Sequence, residues 1–490
     1  MSPSNQEKQS DEKVALRRSL RYIPSVEAIL QDERLVSFEG EVPRQIIVDA
    51  VRREVEVFRE SLLGGKQTIV VDEATSDDQI EEQILDVVVQ ATQLAVAESN
   101  RPQYRKVING TGVILHTGLG RAVLPRAAVA RIASELDGYS LLQVDVETGK
   151  RGRRDGRIEW LLQRLTGAEA ATVVNNNAAA TSIVLNTVGK GREVIVSRGQ
   201  LVEIGGSFRL PEVMELSGAK LVEVGTTNKT HPHDYENAIT ENTAALLRVH
   251  PSNYRIQGFT SETSLEDMIA IGRKHDIPVI DDLGAGALVD LAQFGFEREP
   301  LLSESLAAGA DLVTCSGDKL IGSGQGGIIL GTKRWVDAVR KNQFARIVRP
   351  GKLTLAAIEA TLALFLDQDV AIRNVPTLMM LARKTDDLDQ QAERIASAIE
   401  SQSDAATTSV EDGYSRMGSG SLPTQEIPTR LATVTPKNCS AETLAARLRH
   451  RAVPVFVRVK EDRIMVDPRT ILDGEDYMLI EAIVEALEIE

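Results

Sequence analysis

A single lysine lies in a turn of small residues at positions 314–327, where the sequence is TCSGDKLIGSGQGG. Lys319 follows the apolar run DLVTC (311–315), so we expect a strand that ends just before the lysine. Glycines and serines on both sides leave room for another group to approach the amine. An amine that is removed from water and placed near other cations has a lowered pKa and can act as nucleophile and base.

Two other loops carry residues that could serve the same chemistry. The segment VVNNNAAAT (173–181) predicts a strand followed by a helix whose first amides and asparagines can bind an anion, although an ordinary asparagine cap is the alternative. The segment IPVIDDLGAG (277–286) predicts a buried strand that ends in Asp281 and Asp282. A buried carboxylate is costly without a cationic partner, and a capping or solvated aspartate is the alternative.

Together the three loops supply what pyridoxal 5′-phosphate (PLP) requires. These requirements are a lysine for a Schiff base, a carboxylate that keeps the pyridine nitrogen protonated, and a phosphate-binding helix start. Other motif interpretations are less satisfactory, because the chain has no GxxxxGK[ST] loop and SGDK lacks the partner motifs of a serine acylase. A surface lysine in a flexible loop is the remaining alternative.

The elements around these loops predict an α/β fold. Short β-branched runs alternate with segments long enough for helices, which is typical of a largely parallel sheet, and they occupy 171–174, 193–197, 220–224, 245–249, 277–281 and 311–315. In such sheets, ligands bind beyond the carboxyl ends of the strands, where all three loops begin. Helical spacing of apolar residues predicts helices over 44–63 and 78–99, while 401–425 is expected to be a loop or a weakly ordered join.

This pattern suggests four segments. We expect an N-terminal helical module at 1–65, a linker helix at 66–104, a large ligand-binding domain at 105–350 and a small α+β domain at 351–490.

Composition limits the class of protein. The 490 residues are 42% hydrophobic with a net charge of −15, which argues against a generally basic, nucleic-acid-coating surface. Neither a membrane span nor a signal peptide is evident, so we expect a cytoplasmic protein without membrane contact. Cys315 and Cys439 are far apart, which argues against a disulfide framework and a zinc ribbon, and we expect no metal site. Positive charge is concentrated at 150–157 and 340–352.

Long stretches of the chain resemble bacterial selenocysteine synthases, the L-seryl-tRNA(Sec) selenium transferases. The resemblance covers nearly the whole sequence and is carried by INGTGVILHTGLGRAVL (108–124), ETGKRGRRD (147–155), SRGQLVEIGGSFRLPEVM (197–214), HPSNYRIQGFT (250–260), SGDKLIGSGQGGIILG (316–331), RIVRPGKLTLAAIEATL (346–362) and GSGSLP (418–423). It implies a fold-type-I PLP-dependent transferase. Such an enzyme converts seryl-tRNA(Sec) to selenocysteinyl-tRNA(Sec) with selenophosphate, through a PLP aldimine and a dehydroalanyl-tRNA.

The resemblance also implies roles for particular residues. Lys319 would bind the cofactor and move the α-proton, with Asp318 beside it. Arg121, Arg346 and Arg349 would converge on the selenium donor. Asp282 would contact the pyridine nitrogen, with Asp281 as the alternative.

Other positions follow from strand order and are less sharply defined. We expect the phosphate to be bound by Asn177, Ala178, Ala179 and Ser316. His250 is expected near the ring, although a satisfied core histidine is as plausible, and His116 has the same ambiguity.

The implied partners are serine-charged tRNA(Sec), selenophosphate and further copies of the chain, since the family forms rings of dimers, homodecamers, with active sites between subunits. LRRSLRY (16–22) and KRGRRDGR (150–157) are the candidate tRNA contacts. With 4% aromatic residues, recognition of tRNA shape is favoured over base stacking. The alternatives are a PLP-dependent β-eliminating lyase for a small amino acid or amino sugar acid, and a tRNA-binding protein with a degenerate site.

Overall fold

The computed structural model describes residues 16–38, 40–64, 76–206, 208–251, 253–419, 421–422 and 425–489. The chain divides into two compact units, Met1–Arg105 and Lys106–Glu490. Within the described ranges, no helix is both long enough and apolar enough to span a membrane.

The first unit is helical in its described part. Residues 16–21 are helical, and they are followed by α1 (Val26–Leu30), α2 (Glu33–Val36), α3 (Arg44–Leu63) and α4 (Asp77–Asn100). The last two confirm the helices predicted at 44–63 and 78–99. Helix α4, within the segment expected to be a linker, begins with a capping box between Ser76 and Gln79. Its apolar face shares a core with α3, in which Val55 and Ile84 are buried.

The second unit contains a seven-stranded sheet in the order β2-β10-β9-β8-β7-β3-β6. Its strands are β2 (Ala170–Val174), β3 (Glu193–Ser197), β6 (Lys220–Val224), β7 (Thr243–Val249), β8 (Val279–Gly284), β9 (Leu312–Ser316) and β10 (Gly327–Gly331). Only β10 runs antiparallel to its neighbours. The predicted, largely parallel sheet is therefore confirmed, although β8 extends past both aspartates to Gly284.

Helices cover both faces of this sheet, as the near-continuous burial of its strands requires. They are α5 (Arg126–Glu135), α6 (Gly156–Thr166), α7 (Asn177–Gly189), α8 (Leu210–Ser217), α9 (Pro232–Ala238), α10 (Leu265–His275), α11 (Leu302–Ala308), α12 (Lys333–Lys341), α13 (Lys352–Leu364), α14 (Gln368–Asn374) and α15 (Pro376–Ala382), and they are followed by α16 (Thr385–Gln402), which packs on the C-terminal sheet. A short hairpin joins β4 (Glu203–Ile204) to β5 (Phe208–Arg209).

The C-terminal part forms a four-stranded antiparallel sheet in the order β11-β12-β15-β14. Its strands are β11 (Ala406–Arg416), β12 (Glu426–Pro436), β14 (Arg458–Lys460) and β15 (Arg463–Val466), and α16, α17 (Ala441–Arg449) and α18 (Asp476–Leu487) share its core.

The expectation of a loop at 401–425 was wrong, because β11 occupies much of it and pairs with β12 along eleven residues. This strand lies at the sheet edge and alternates exposed polar residues, so it lacks an apolar run.

One extended segment connects the small sheet with the carboxyl edge of the large sheet. It begins at β1 (Ile108–Asn109), which pairs in parallel with β13 (Val455–Phe456). Gly112, with φ of 70°, lies against Asp467, where an added Cβ would be 1.9 Å from a carboxylate oxygen. The Leu115 amide then donates to the Met417 carbonyl over 2.7 Å. These contacts fix the start of the loop that carries Thr117 and Arg121.

Candidate active site

A cavity of about 760 Å³ opens at the carboxyl ends of β7, β8 and β9, next to the N-terminus of α7. It brings together many of the predicted site residues. Among its lining residues are Thr117, Arg121, Asn177, Ala178, His250, Asn253, Asp282, Ser316, Asp318, Lys319 and Ser419.

Lys319 lies at the floor of this cavity, in the tight connection between β9 and β10. The Gly317 amide donates to the Gly326 carbonyl over 2.8 Å, and the Gly322 amide donates to the Lys319 carbonyl over 3.0 Å. Only 7% of the Lys319 surface is exposed. The turn therefore holds one buried amine at the end of a central strand, as its sequence predicts.

The charges around Lys319 favour a reactive amine. Burial and the neighbouring Arg121 guanidinium lower the pKa of Lys319, and this shift outweighs the opposite effect of Asp282 and Asp318. Arg121 Nη1 donates to Asp318 Oδ2 over 2.8 Å, and Arg121 adopts a left-handed φ of 63°. The arginine and the lysine thus face one cavity, where an anion would be attracted to both.

The two aspartates of β8 point to opposite faces of the sheet, because successive side chains alternate along a strand. Asp282 faces α7, where it accepts hydrogen bonds from Asn177 Nδ2 (2.9 Å) and Thr181 Oγ1 (2.8 Å). Its neighbour Asp281 is fully buried and bonds Arg248 Nη1 (3.1 Å) and Ser305 Oγ (2.6 Å). Burial raises the pKa of Asp281. Asp282 lines the cavity, whereas Asp281 is part of a buried ion pair behind the sheet.

His250 lines the cavity wall directly after β7, and its amide donates to the Asp282 carbonyl over 2.9 Å. Burial and the Arg248 charge lower the pKa of His250 to about 4, so the ring is neutral near pH 7. Its Nδ1 has no hydrogen-bond partner among the described residues, and the same is true of Asn177 Oδ1 and Asn253 Oδ1. Buried polar atoms are nearly always satisfied, so these three atoms are available to a polar ligand.

The start of α7 forms the cavity wall nearest Asp282. Asn176 caps the helix by accepting from the Ala179 amide over 2.8 Å, so that amide is already engaged. Asn177 and Ala178 line the cavity in the first turn, where helical amides lack internal partners. Gly327 permits this arrangement, because a Cβ there would lie 2.1 Å from the Asn176 carbonyl oxygen. Of the predicted anion-binding group, Asn177, Ala178 and Ser316 line the cavity.

Arg346 and Arg349 do not line this cavity in the single chain, so the expected convergence of three arginines stays a prediction. Both line a separate cleft of about 780 Å³ beside β2, together with Arg154. The cause is the path of the chain after α12. This segment runs past the residues before α7, where the Asn175 amide donates to the Val348 carbonyl over 2.9 Å.

Thr117, Asn253 and Ser419 are among the cavity residues that were not identified as site candidates from the sequence. Asn253 donates from Nδ2 to the Glu203 carbonyl (2.7 Å) and thereby contacts the β4–β5 hairpin. Thr117 and Ser419 lie 2.9 Å apart through their hydroxyls. Thr117 and Ser419 could have been identified as site candidates because they lie in HTGLGR and GSGSLP, two of the stretches that resemble the family. His116 precedes Thr117, but its Nδ1 is buried without a described partner.

Comparisons with known proteins identify the family of this chain. The family model described as L-seryl-tRNA selenium transferase matches residues 107–472, and the one described as selenocysteine synthase N terminal matches residues 20–59. The chain is 44% identical over 470 residues to the L-seryl-tRNA(Sec) selenium transferase of Alkaliphilus metalliredigens, covering 95% of this chain and 98% of the relative. It is 44% identical over 477 residues to the enzyme of the same name from Nitratidesulfovibrio vulgaris, covering 96% of this chain and all of the relative.

A solved structure of D-glucosaminate-6-phosphate ammonia-lyase superposes with a TM-score of 0.54 at 23% identity, covering 79% of this chain and 96% of that chain. At this identity the likeness shows the fold alone, and the shared fold agrees with the predicted fold class.

Proposed function

The chain belongs to the L-seryl-tRNA selenium transferase family, and we propose that it converts L-seryl-tRNA(Sec) to L-selenocysteinyl-tRNA(Sec) with selenophosphate. The observation that carries the proposal is the buried Lys319 facing Arg121 and Asp282 in one cavity of a chain that matches the family along nearly its whole length. The reaction replaces the β-hydroxyl of the esterified serine by selenium.

The cavity residues fit PLP as the cofactor. Lys319 would hold its aldehyde carbon, and Asp282, which is buried and oriented by two hydrogen bonds, would keep a proton at the ring nitrogen. Asn177 Oδ1 and His250 Nδ1 are buried without described partners beside this carboxylate, as expected of groups that meet a polar ring. The first turn of α7, with Ser316, would bind the phosphate. Bound in this way, PLP supplies an electron sink for negative charge on the substrate α-carbon.

The protein side chains then have separate tasks. Lys319, with its lowered pKa, would accept the α-proton and hold it near the β-carbon. Arg121 would attract the anionic selenium donor, and Asp318 would orient the guanidinium through the 2.8 Å bond. Because Lys319, Asp282 and Asp318 are all buried, water has little access to the reacting carbons of the seryl group.

A second copy of the chain would complete the anion site. Leu141, Val146 and Ile347 expose 72%, 71% and 71% of their surfaces, as expected of residues covered in an oligomer. Ile347 lies between Arg346 and Arg349, so a copy that covers it would place both arginines at the interface. We propose a homo-oligomer in which these arginines reach the cavity of a neighbouring subunit. Sedimentation equilibrium would test the assembly, and a monomer at micromolar concentration would exclude it.

The tRNA would be bound through local positive charge. In the first unit, Arg21 lies within the N-terminal family match and Arg17 lies just before it. In the second unit, the positive charges include Lys150 and Arg151. Contacts of this kind to the tRNA backbone make affinity fall steeply as salt rises. We propose that both patches contact tRNA.

The β-eliminating lyase for small substrates is not favoured, because the full-length relatives are named as seryl-tRNA(Sec) enzymes. Transfer of radioactive selenium from selenophosphate to seryl-tRNA(Sec), with seryl-tRNA(Ser) as control, would test the proposal. We expect label on the first tRNA only, and a yellow protein whose visible band disappears on borohydride reduction. A colourless protein that gains no visible band with PLP would refute both enzyme functions. The remaining alternative would then be a tRNA-binding protein with a degenerate site.

A further inference from the structure

Two hydroxyl groups lie at the rim of the active-site cavity, opposite its buried floor. Thr117 is exposed and Ser419 is half-buried, whereas Lys319 and Asp282 at the floor expose only 7% and 6% of their surfaces. The rim hydroxyls therefore lie where the part of a substrate remote from the reacting atoms must pass.

The hydrogen bonds of this pair determine which atom acts as donor. Ser419 Oγ lies 2.5 Å from the Leu115 carbonyl oxygen, which can only accept, so the single hydroxyl proton of Ser419 is used there. In the 2.9 Å contact between the two hydroxyls, Thr117 must then be the donor. With its own proton engaged, Thr117 Oγ1 presents only lone pairs to the cavity. It is a hydrogen-bond acceptor.

The backbone keeps Ser419 in this position. Gly418 and Ser419 are both left-handed, with φ of 80° and 49°, and an added Cβ at Gly418 would lie 2.6 Å from Val113 Cγ1. The preceding residues pair with the loop, since the Ile114 amide donates to the Arg416 carbonyl over 2.9 Å. Ser419 is thus a fixed acceptor for the Thr117 hydroxyl, and the orientation of Thr117 is set by the small sheet.

A substrate group that meets Thr117 must be a donor. This step rests on the proposed function, in which the seryl group reaches Lys319 and its ester links it to the terminal ribose of a tRNA. With the reacting carbons at the buried floor, the ribose lies at the rim. The free hydroxyl vicinal to the ester is the donor nearest the ester in such a substrate, and free serine has no equivalent group.

We propose that Thr117 accepts a hydrogen bond from the free ribose hydroxyl next to the aminoacyl ester, and that Ser419 is a positioning residue for Thr117. The pair thereby contributes to the selection of an aminoacyl ribose over a free amino acid. The expected contribution is about tenfold, which corresponds to about 1.4 kcal/mol and is near the upper end of what one hydrogen bond contributes.

The test combines a change in the protein with a change in the substrate. The holoenzyme is assayed with seryl-tRNA(Sec) whose terminal ribose carries or lacks the 2′-hydroxyl. We expect the wild type to lose about tenfold in kcat/KM on the deoxy substrate, mainly through KM. Thr117→Val should show this loss already with ribose and no further loss with deoxyribose, while Thr117→Ser should behave as wild type. Thr407→Val, at an exposed threonine of β11, is the matched control and should retain the full tenfold dependence.

A second measurement avoids dependence on any variant's folding. Binding of the hydrolysis-resistant amide analogue of seryl-adenosine to the wild type, measured without selenophosphate, should weaken about tenfold when its 2′-hydroxyl is removed. Equal binding of the two analogues, or additive losses for Thr117→Val and the deoxy substrate, would overturn the inference while selenium transfer persists. A wild type that transfers no selenium to seryl-tRNA(Sec) would instead refute the proposed function on which the inference rests.

Discussion

The Arg121 guanidinium donates to the Asp318 carboxylate over 2.8 Å, and both side chains adjoin Lys319. The arginine lowers the pKa of the lysine, while Asp318 opposes that effect. Since the arginine also neutralises the carboxylate, the pair controls the charge that Lys319 experiences.

Arg121→Gln should therefore raise the pKa of Lys319, because a nearby cation is lost and Asp318 is left unneutralised. In the apoenzyme, the reaction of Lys319 with PLP should require a higher pH, and its pH midpoint can be followed by absorbance. Arg126→Gln, at the exposed start of α5, is the control and should leave the midpoint unchanged. An unchanged or lower midpoint in Arg121→Gln would contradict this account.

The adjacent aspartates of β8 should respond in opposite ways to substitution. Asp282→Asn removes the carboxylate that faces the cavity, so we expect activity to fall by at least about a hundredfold with the fold retained. Asp281→Asn instead weakens a buried ion pair with Arg248, which should reduce the free energy of unfolding by about 3 kcal/mol. Selenium transfer is measured on the two PLP-bound enzymes, and urea unfolding is measured on the two apoenzymes. If Asp281→Asn abolished activity at unchanged stability, the assignment of faces would be reversed.

These aspartates also show which features of the site could be predicted from the sequence. The run IPVIDDLGAG predicts a buried strand with carboxylates near its end, and β8 confirms it. Alternation places the two side chains on opposite faces, but only the packing of α7 and α11 reveals which face carries the cavity.

Contacts between residues that are distant in the sequence were harder to predict. Thr117 and Ser419 are 302 residues apart, so neither spacing nor periodicity relates them. The failed expectation at 401–425 has a different cause, since β11 is a polar edge strand whose stability depends on its pairing with β12. Arg346 and Arg349 follow the family pattern, yet in the single chain they line a different cleft from Arg121, and their convergence with it stays a prediction.

Stability should depend on His250 at mildly acidic pH. Burial and Arg248 lower the pKa of His250 to about 4, against about 6.5 in an unfolded chain. As pH falls from about 6.5 to about 4, the unfolded chain binds this proton and the native state does not, so up to about 3 kcal/mol of stability is lost. Above pH 6.5 the residue contributes no pH dependence. Urea unfolding at several pH values measures the slope.

His250→Gln should remove this part of the slope and leave the contributions of the other titratable groups. His233→Gln, at an exposed histidine, is the control and should preserve the wild-type slope. Identical slopes for wild type and His250→Gln would show that the pKa of His250 is not lowered in the native state.

Gly327 should be intolerant of any side chain, because the start of β10 approaches the cap of α7 too closely. A Cβ at this position would lie 2.1 Å from the Asn176 carbonyl oxygen and 2.8 Å from Val174 Cγ2. Both neighbours are held in place, since Asn176 caps α7 and Val174 belongs to β2. Gly327→Ala must therefore displace the helix start that borders Asp282. We expect a loss of about 2 kcal/mol in stability and at least tenfold weaker PLP binding, measured by urea unfolding and by titration of the visible band. Gly138→Ala, where an added Cβ meets nothing within 4 Å, should change neither quantity. Unaltered PLP affinity in a stable Gly327→Ala protein would show that the first turn of α7 does not bind the phosphate.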